Sequence, residues 1–167
     1  MINKINKLSE NAFCDVFGNV FENAKWISRD LYVQKPFENY EDLSLKMLNI
    51  FEKTSKESKL KIFKSHPDLA DKIKIGLLTP ESNKEQNQAG LDKCSEKEFN
   101  EFKKLNKLYK EKFGFPFILA VKGKTKIEIL NNFKQRIAYD INVEFIEASL
   151  QVKKIASLRI NEIIKND

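Results

Sequence analysis

Apolar residues recur at helical spacing along almost the whole chain, and this periodicity is the strongest constraint on its fold. The clearest runs are Leu43, Met47, Ile50 and Phe51; Phe99, Phe102, Leu105, Tyr109 and Phe113; and Ile127, Leu130, Phe133 and Ile137. Residues spaced in this way share one face of an α-helix. Only 5 Gly and 4 Pro occur among 167 residues, which disfavours a β-sandwich built on tight turns. The pattern predicts an all-α, single-domain bundle of about seven to nine helices over the whole chain, with no sheet.

Local capping chemistry indicates where several helices begin and end. Thr79 and Pro80 offer an N-cap followed by proline in the first turn, and Gly90 offers a stop. They predict a helix over about residues 80–89. Three further starts are indicated, at Ser95 with Glu98, at Thr125 with Glu128, and at Asp140 or Asn142. Residues 113–121 break the helical pattern, which predicts an extended segment that crosses the core.

The charge balance limits the classes of partner. Lys and Arg number 30 against 24 Asp and Glu, giving a net charge of +6. A basic chain can bind nucleic acid or an anionic membrane, but here the lysines alternate with glutamates, as on solvated helix faces. No apolar run approaches the length of a membrane span. We therefore expect neither a nucleic-acid partner nor a membrane.

The two cysteines, Cys14 and Cys94, lie far apart and have no neighbouring histidine. This spacing predicts neither a metal site nor a disulfide framework, and it favours a reducing, cytoplasmic location. A peroxisomal location stays open for a eukaryotic source, although the final Lys165-Asn166-Asp167 is not a peroxisomal signal.

The only histidine, His66, directly precedes Pro67. Proline disfavours the helical conformation in the residue before it, so the preceding helix is expected to end near Ser65. His66 then projects from a turn, where functional residues are often placed, and an imidazole exchanges protons near neutral pH. The alternative is an exposed histidine or a helix cap, and spacing alone favours that alternative.

Two other places carry side chains that suit a polar ligand. On a helix that begins near Pro80, Ser82, Glu85 and Gln86 share one face and present a hydroxyl, a carboxylate and an amide. Ser82 and Glu85 also fit a capping box, and the residues alone do not decide between the two. Arg159 can clamp a carboxylate with its guanidinium, or can be a surface or helix-end residue.

Four segments in order resemble one known family. They are HPDLA (66–70), LTPESNKEQNQAGL (78–91), LNKLYKEKFGFPFILAVKG (105–123) and VKKIASLRI (152–160). Together they resemble the corresponding blocks of 2-oxo-4-hydroxy-4-carboxy-5-ureidoimidazoline (OHCU) decarboxylases, and the likeness extends from about residue 9 to residue 164.

The resemblance implies roles for individual residues. His66 and Glu85 match the family's catalytic pair. Substrate binding is implied for Pro67, Ser82, Asn83, Lys84, Glu85, Gln86, Phe117, Ile118, Leu119, Ala120, Val121 and Arg159. Asp71 departs from the family, because many relatives have glycine there. The family further implies an all-helical homodimer that needs no cofactor and acts on a small molecule.

The implied reaction is the decarboxylation of the ureidoimidazoline to (S)-allantoin, in urate degradation. A C=N bond beside the breaking C–C bond can accept the electron pair, so the substrate supplies its own electron sink and neither metal nor organic cofactor is expected. Two alternatives remain: a related lyase that acts on another small heterocyclic acid, and a non-catalytic basic helical module that binds an anionic partner.

Overall fold

A computed structural model of the chain describes residues 2–70 and 80–166, and within them it contains nine α-helices, one short 3-10 helix and no strand. The all-α prediction is confirmed. The helices are α1 (Ile2–Lys7), α2 (Glu10–Phe17), α3 (Lys25–Tyr32), α4 (Tyr40–Lys53), α5 (Lys56–Ser65), α6 (Pro80–Gln88), α7 (Glu96–Phe113), α8 (Lys126–Arg136) and α9 (Ile141–Asn166), and the 3-10 helix is Leu91–Lys93. Within these ranges no helix has both the length and the hydrophobicity of a bilayer-crossing segment.

The helix ends follow the capping chemistry of the sequence. Ser95 and Thr125 each accept a hydrogen bond from the backbone N–H three residues on, and both capping boxes are complete. α5 ends at Ser65, directly before His66, as Pro67 requires. α6 begins at the predicted proline, whereas the cap predicted at Thr79 lies outside the described residues.

The chain divides into two compact units, and the prediction of one domain over residues 1–167 stays a prediction. The first unit comprises Met1–Ile62 and Lys153–Asp167. In it, α2 packs on α3 and α3 packs on α4. The core of this unit is aromatic: the Phe13 ring lies 4.7 Å from Phe17 and 5.9 Å from Phe37 between centroids. Burial of these large rings stabilises the short helices, which would not persist alone.

The second unit comprises Phe63–Val152 and contains α6, α7 and α8. Its core is a cluster of rings around Tyr109, which is fully buried. The Phe117 ring stacks on Phe133 at a centroid distance of 3.9 Å, and Tyr109 meets both rings edge-on. Since Phe117 lies outside any helix, this stacking anchors a non-helical segment between helical neighbours.

Candidate active site

His66 lies directly after α5 and is buried. Its side chain and backbone together are 8% exposed, so the alternative of an exposed histidine is wrong. His66 and Pro67 border a cavity of about 310 Å³ within the second unit. The other lining residues are Lys64, Asp68, Lys110, Gly114, Phe115 and Pro116. A cavity of this volume can hold a small ligand beside the imidazole.

α6 carries the predicted trio inside the helix rather than at its start. Because α6 begins two residues before Ser82, the serine cannot be the N-cap, and the capping-box alternative is wrong. Ser82 and Gln86 are buried, and Glu85 is half-buried. Of the two residues between them, Asn83 is half-buried and Lys84 is exposed. The face of α6 that carries Ser82 and Gln86 is therefore turned into the unit.

The side chain of Gln86 joins α6 to the segment that follows His66. Its Oε1 accepts a hydrogen bond from the Ala70 N–H at 3.1 Å, and its Nε2 donates to the Asp68 carbonyl at 3.3 Å. The helix that carries Glu85 thus lies beside residues 67–70, which start one position after the imidazole. The departure at Asp71 lies outside the described residues.

α7 contacts the same segment through two residues that the sequence reasoning missed. The Asn106 Nδ2 donates to the Leu69 carbonyl at 3.0 Å, and the Lys110 Nζ lies 2.7 Å from Asp68 Oδ2. Asn106 is buried on the face of α7 that also carries Phe102. The signal that could have identified Asn106 is a carboxamide at core spacing in an otherwise apolar helix face.

Residues 117–121 are all buried, and they form neither helix nor strand. Two backbone groups of this segment are hydrogen-bonded to side chains and not to a neighbouring strand. The Ala120 N–H donates to the Gln151 Oε1 at 3.0 Å, and the Ile118 carbonyl accepts from the Arg136 Nη1 at 2.7 Å. Such bonds offset the cost of removing these backbone groups from water.

A buried ion pair supports that segment. Arg136 and Glu144 are 3% and 0% exposed, and the Arg136 Nε donates to both carboxylate oxygens, at 3.0 and 3.1 Å. The Tyr109 hydroxyl donates to the same carboxylate. Burial, followed by the neighbouring Glu144 carboxylate, raises the pKa of Tyr109 well above its usual range, so the phenol stays protonated. The Arg136 guanidinium also lies over the Phe117 ring, 4.4 Å from its centroid.

Arg159 belongs to the first unit, whereas the other predicted site residues belong to the second. It is 4% exposed, so the surface alternative is wrong. Its Nη1 donates to the Glu22 carboxylate at 3.1 Å and to the Asn19 carbonyl at 3.0 Å. The predicted binding of a substrate carboxylate by Arg159 stays a prediction.

Two solved structures share the fold. The crystal structure of (S)-allantoin synthase matches with a TM-score of 0.78 and 26% identity, over 98% of this chain and 54% of that chain. The crystal structure of OHCU decarboxylase in the presence of (S)-allantoin matches with a TM-score of 0.73 and 23% identity, over 95% and 99% of the two chains. At that identity the second match supports the fold alone.

Relatives that are OHCU decarboxylases by name match almost the whole of this chain in sequence. The 2-oxo-4-hydroxy-4-carboxy-5-ureidoimidazoline decarboxylase of Xenopus laevis, a carboxy-lyase by its name, is 35% identical over 99% of this chain and 95% of its own length. That of Haloferax volcanii is 32% identical over 96% and 94%. The family model described as OHCU decarboxylase matches residues 6–161. This chain belongs to the OHCU decarboxylase family.

A longer relative carries the matching region as part of a larger protein. The uric acid degradation bifunctional protein of Bacillus sp. (strain TB-90) is 37% identical over 98% of this chain. This chain spans 32% of the length of that relative. The comparison with the bifunctional protein therefore concerns about a third of it.

Proposed function

We propose that this chain decarboxylates 2-oxo-4-hydroxy-4-carboxy-5-ureidoimidazoline to (S)-allantoin in urate degradation, without a cofactor. One observation carries the proposal beyond family membership. A buried histidine beside a cavity is followed by a segment that Gln86 ties to α6, the helix that also carries Glu85. This arrangement supplies a proton-exchanging group that is buried and a carboxylate that is half-buried, on adjoining elements.

In the proposed mechanism, the C–C bond to the substrate carboxylate breaks and carbon dioxide leaves. The electron pair of that bond flows into the adjacent C=N bond, so the substrate itself stabilises the developing charge. His66, partnered by Glu85, takes the proton of the substrate hydroxyl as the bond breaks. Loss of that proton leaves an enolate, and the ring nitrogen that received the electron pair takes one proton from water. The neighbouring carbon then gains one proton on a single face as the enolate becomes a carbonyl, which fixes the (S) configuration.

The remaining site residues are proposed to hold the substrate. The Ser82 hydroxyl and backbone groups of residues 117–121 suit the ring and the ureido group, which present both donors and acceptors. Gln86 already uses one N–H and its oxygen on residues 67–70, so its second N–H is the part proposed for the substrate. The proposed carboxylate clamp at Arg159 rests on the family resemblance and on its fork geometry.

The first prediction is that the purified protein accelerates the formation of optically active allantoin. The unstable substrate is generated in situ from urate by the two preceding enzymatic steps, with a chelator present. Circular dichroism of the product then measures the enantiomer that forms. We expect the (S) signal to appear with a rate proportional to protein concentration. Racemic product at the rate of the protein-free reaction contradicts the proposed function.

A second prediction concerns the carboxylate on α6. Replacing Glu85 by glutamine is expected to lower kcat by about 10²-fold, because the amide cannot support the charge that develops on the imidazole. The same in situ assay measures the loss. Glu96→Gln, at an exposed position in the first turn of α7, removes an equal charge and should leave kcat unchanged. Equal rates for the Glu85→Gln variant and the wild type would remove Glu85 from the catalytic pair.

We further propose a cytoplasmic homodimer. The spacing of Cys14 and Cys94 predicts no disulfide framework, which supports a reducing compartment. Val143, Ile146 and Leu150 are 49%, 61% and 45% exposed and lie at helical spacing on α9. An apolar face of this kind is typical of surfaces that self-associate.

A further inference from the structure

The segment that follows the histidine, residues 67–70, ends in an uncommon backbone conformation. Ala70 has φ of 57°, in the left-handed region that residues with a side chain rarely adopt. Such a conformation persists where the surroundings fix it. The segment is therefore held in place by contacts rather than by its own preference.

Three side chains from two helices supply those contacts. Gln86 on α6 bonds the Ala70 N–H and the Asp68 carbonyl, at 3.1 and 3.3 Å. On α7, Asn106 donates to the Leu69 carbonyl at 3.0 Å, and Lys110 lies 2.7 Å from the Asp68 carboxylate. Asn106 and Lys110 are four residues apart, so they project from the same face of α7 and grip two consecutive residues of the segment.

The amide of Asn106 is poorly suited to a purely stabilising role. Its residue is 5% exposed, and within the described part of the chain its Oδ1 has no hydrogen-bond partner. An unsatisfied buried acceptor costs free energy that a leucine, which has the same number of side-chain heavy atoms and no polar group, would avoid. The feature that leucine lacks is the N–H that reaches the Leu69 carbonyl.

We propose that Asn106 and Lys110 are positioning residues that fix residues 67–70 and, through them, the orientation of the His66 imidazole. The inference rests on the proposed function for its effect on rate. Pro67 makes the connection stiff, because its ring fixes φ and leaves little freedom between the gripped residues and the histidine. Proton transfer depends steeply on such orientation, and a misplacement of about 1 Å can cost 10²-fold in rate.

The principal test is Asn106→Leu, which keeps the number and branching of the side-chain heavy atoms and removes the donor. We expect kcat to fall by about tenfold to 10²-fold while KM changes by less than about twofold, since Asn106 is not among the residues that border the cavity. A second readout is independent of turnover. Because the chain has a single histidine, the imidazole proton resonances report His66 alone, and they should shift or broaden in the variant.

Matched variants on α7 distinguish a loss of positioning from a general loss of protein stability. Asn100→Leu makes the same change at an exposed position on α7, and should alter neither kcat nor the imidazole signals. Lys110→Met should lower kcat by a factor of about three to ten, whereas Lys110→Arg, which keeps the ion pair with Asp68, should restore it. Should Asn106→Leu fail to fold, the Lys110 pair of variants decides the question.

The outcomes are distinguishable from a failure of the proposed function. If the wild type forms racemic product, the function itself is wrong. If the wild type is active and folded Asn106→Leu and Lys110→Met variants keep its kcat and its imidazole resonances, the positioning role is overturned. A loss confined to KM would likewise overturn it, because that result would place these residues in substrate binding.

Discussion

Replacing His66 with alanine is expected to lower kcat for (S)-allantoin formation by about 10²–10⁴-fold, the usual contribution of a well-placed acid or base. No other imidazole in the chain can replace it, because His66 is the only histidine. KM should change little if the ring and the ureido group are held by other residues. Initial rates with the substrate generated in situ, followed by circular dichroism of the product, measure the effect.

Two controls accompany this variant. The helical circular dichroism should be unchanged, and Lys61→Ala, at an exposed position on α5, the helix that ends directly before His66, should keep the wild-type rate. Free imidazole should partly restore the His66→Ala rate, since the adjoining cavity of about 310 Å³ can admit it. A folded His66→Ala enzyme within a factor of three of wild type would exclude the histidine as acid or base.

Replacing Glu144 with leucine is expected to lower the free energy of unfolding by about 3–5 kcal/mol, the largest stability effect that we foresee. The substitution leaves the Arg136 guanidinium buried at 3% exposure without its carboxylate. It also removes the acceptor of the Tyr109 hydroxyl. Urea denaturation followed by circular dichroism measures the change.

The double variant Arg136→Met/Glu144→Leu isolates the uncompensated charge. It should be less destabilised than the sum of the single variants, because neither charge remains buried alone. Glu111→Leu breaks an exposed pair with Lys107 on α7 and should cost less than about 1 kcal/mol. A Glu144→Leu variant as stable as Glu111→Leu would show that the buried pair contributes nothing.

Helix starts could be predicted because capping is local chemistry. Ser95 and Thr125 act on groups within one turn, and α9 begins directly after Asp140, one of the two residues predicted to cap it. Periodicity was less informative about burial. Phe133 is fully buried, whereas Ile127, in the same predicted run, is 70% exposed, because an apolar residue in the first turn can lie beyond the packed face.

The site was predictable only in part. The predicted helix end before Pro67 correctly put His66 just after a helix. The i, i+3, i+4 spacing predicted that Ser82 and Gln86 share one helix face, and that face is buried. The hydrogen bond from Asn106 to the Leu69 carbonyl joins two residues that are 37 positions apart in the sequence. Local propensity carries no information about contacts at such separations, which depend on how the helices pack.

The way in which residues 117–121 are held has a consequence for divergence among relatives. In a sheet, a ladder of bonds to the next strand couples each residue to its neighbours, so the strand shifts as a whole. Here Gln151 and Arg136 each fix a separate backbone atom from a helix. A substitution at Gln151 removes the hydrogen bond to the Ala120 N–H, while Arg136 keeps its hydrogen bond to the Ile118 carbonyl. A segment held in this way can be retuned residue by residue. With the role in substrate binding that we propose for residues 117–121, this opens a route to altered substrate preference without a new fold.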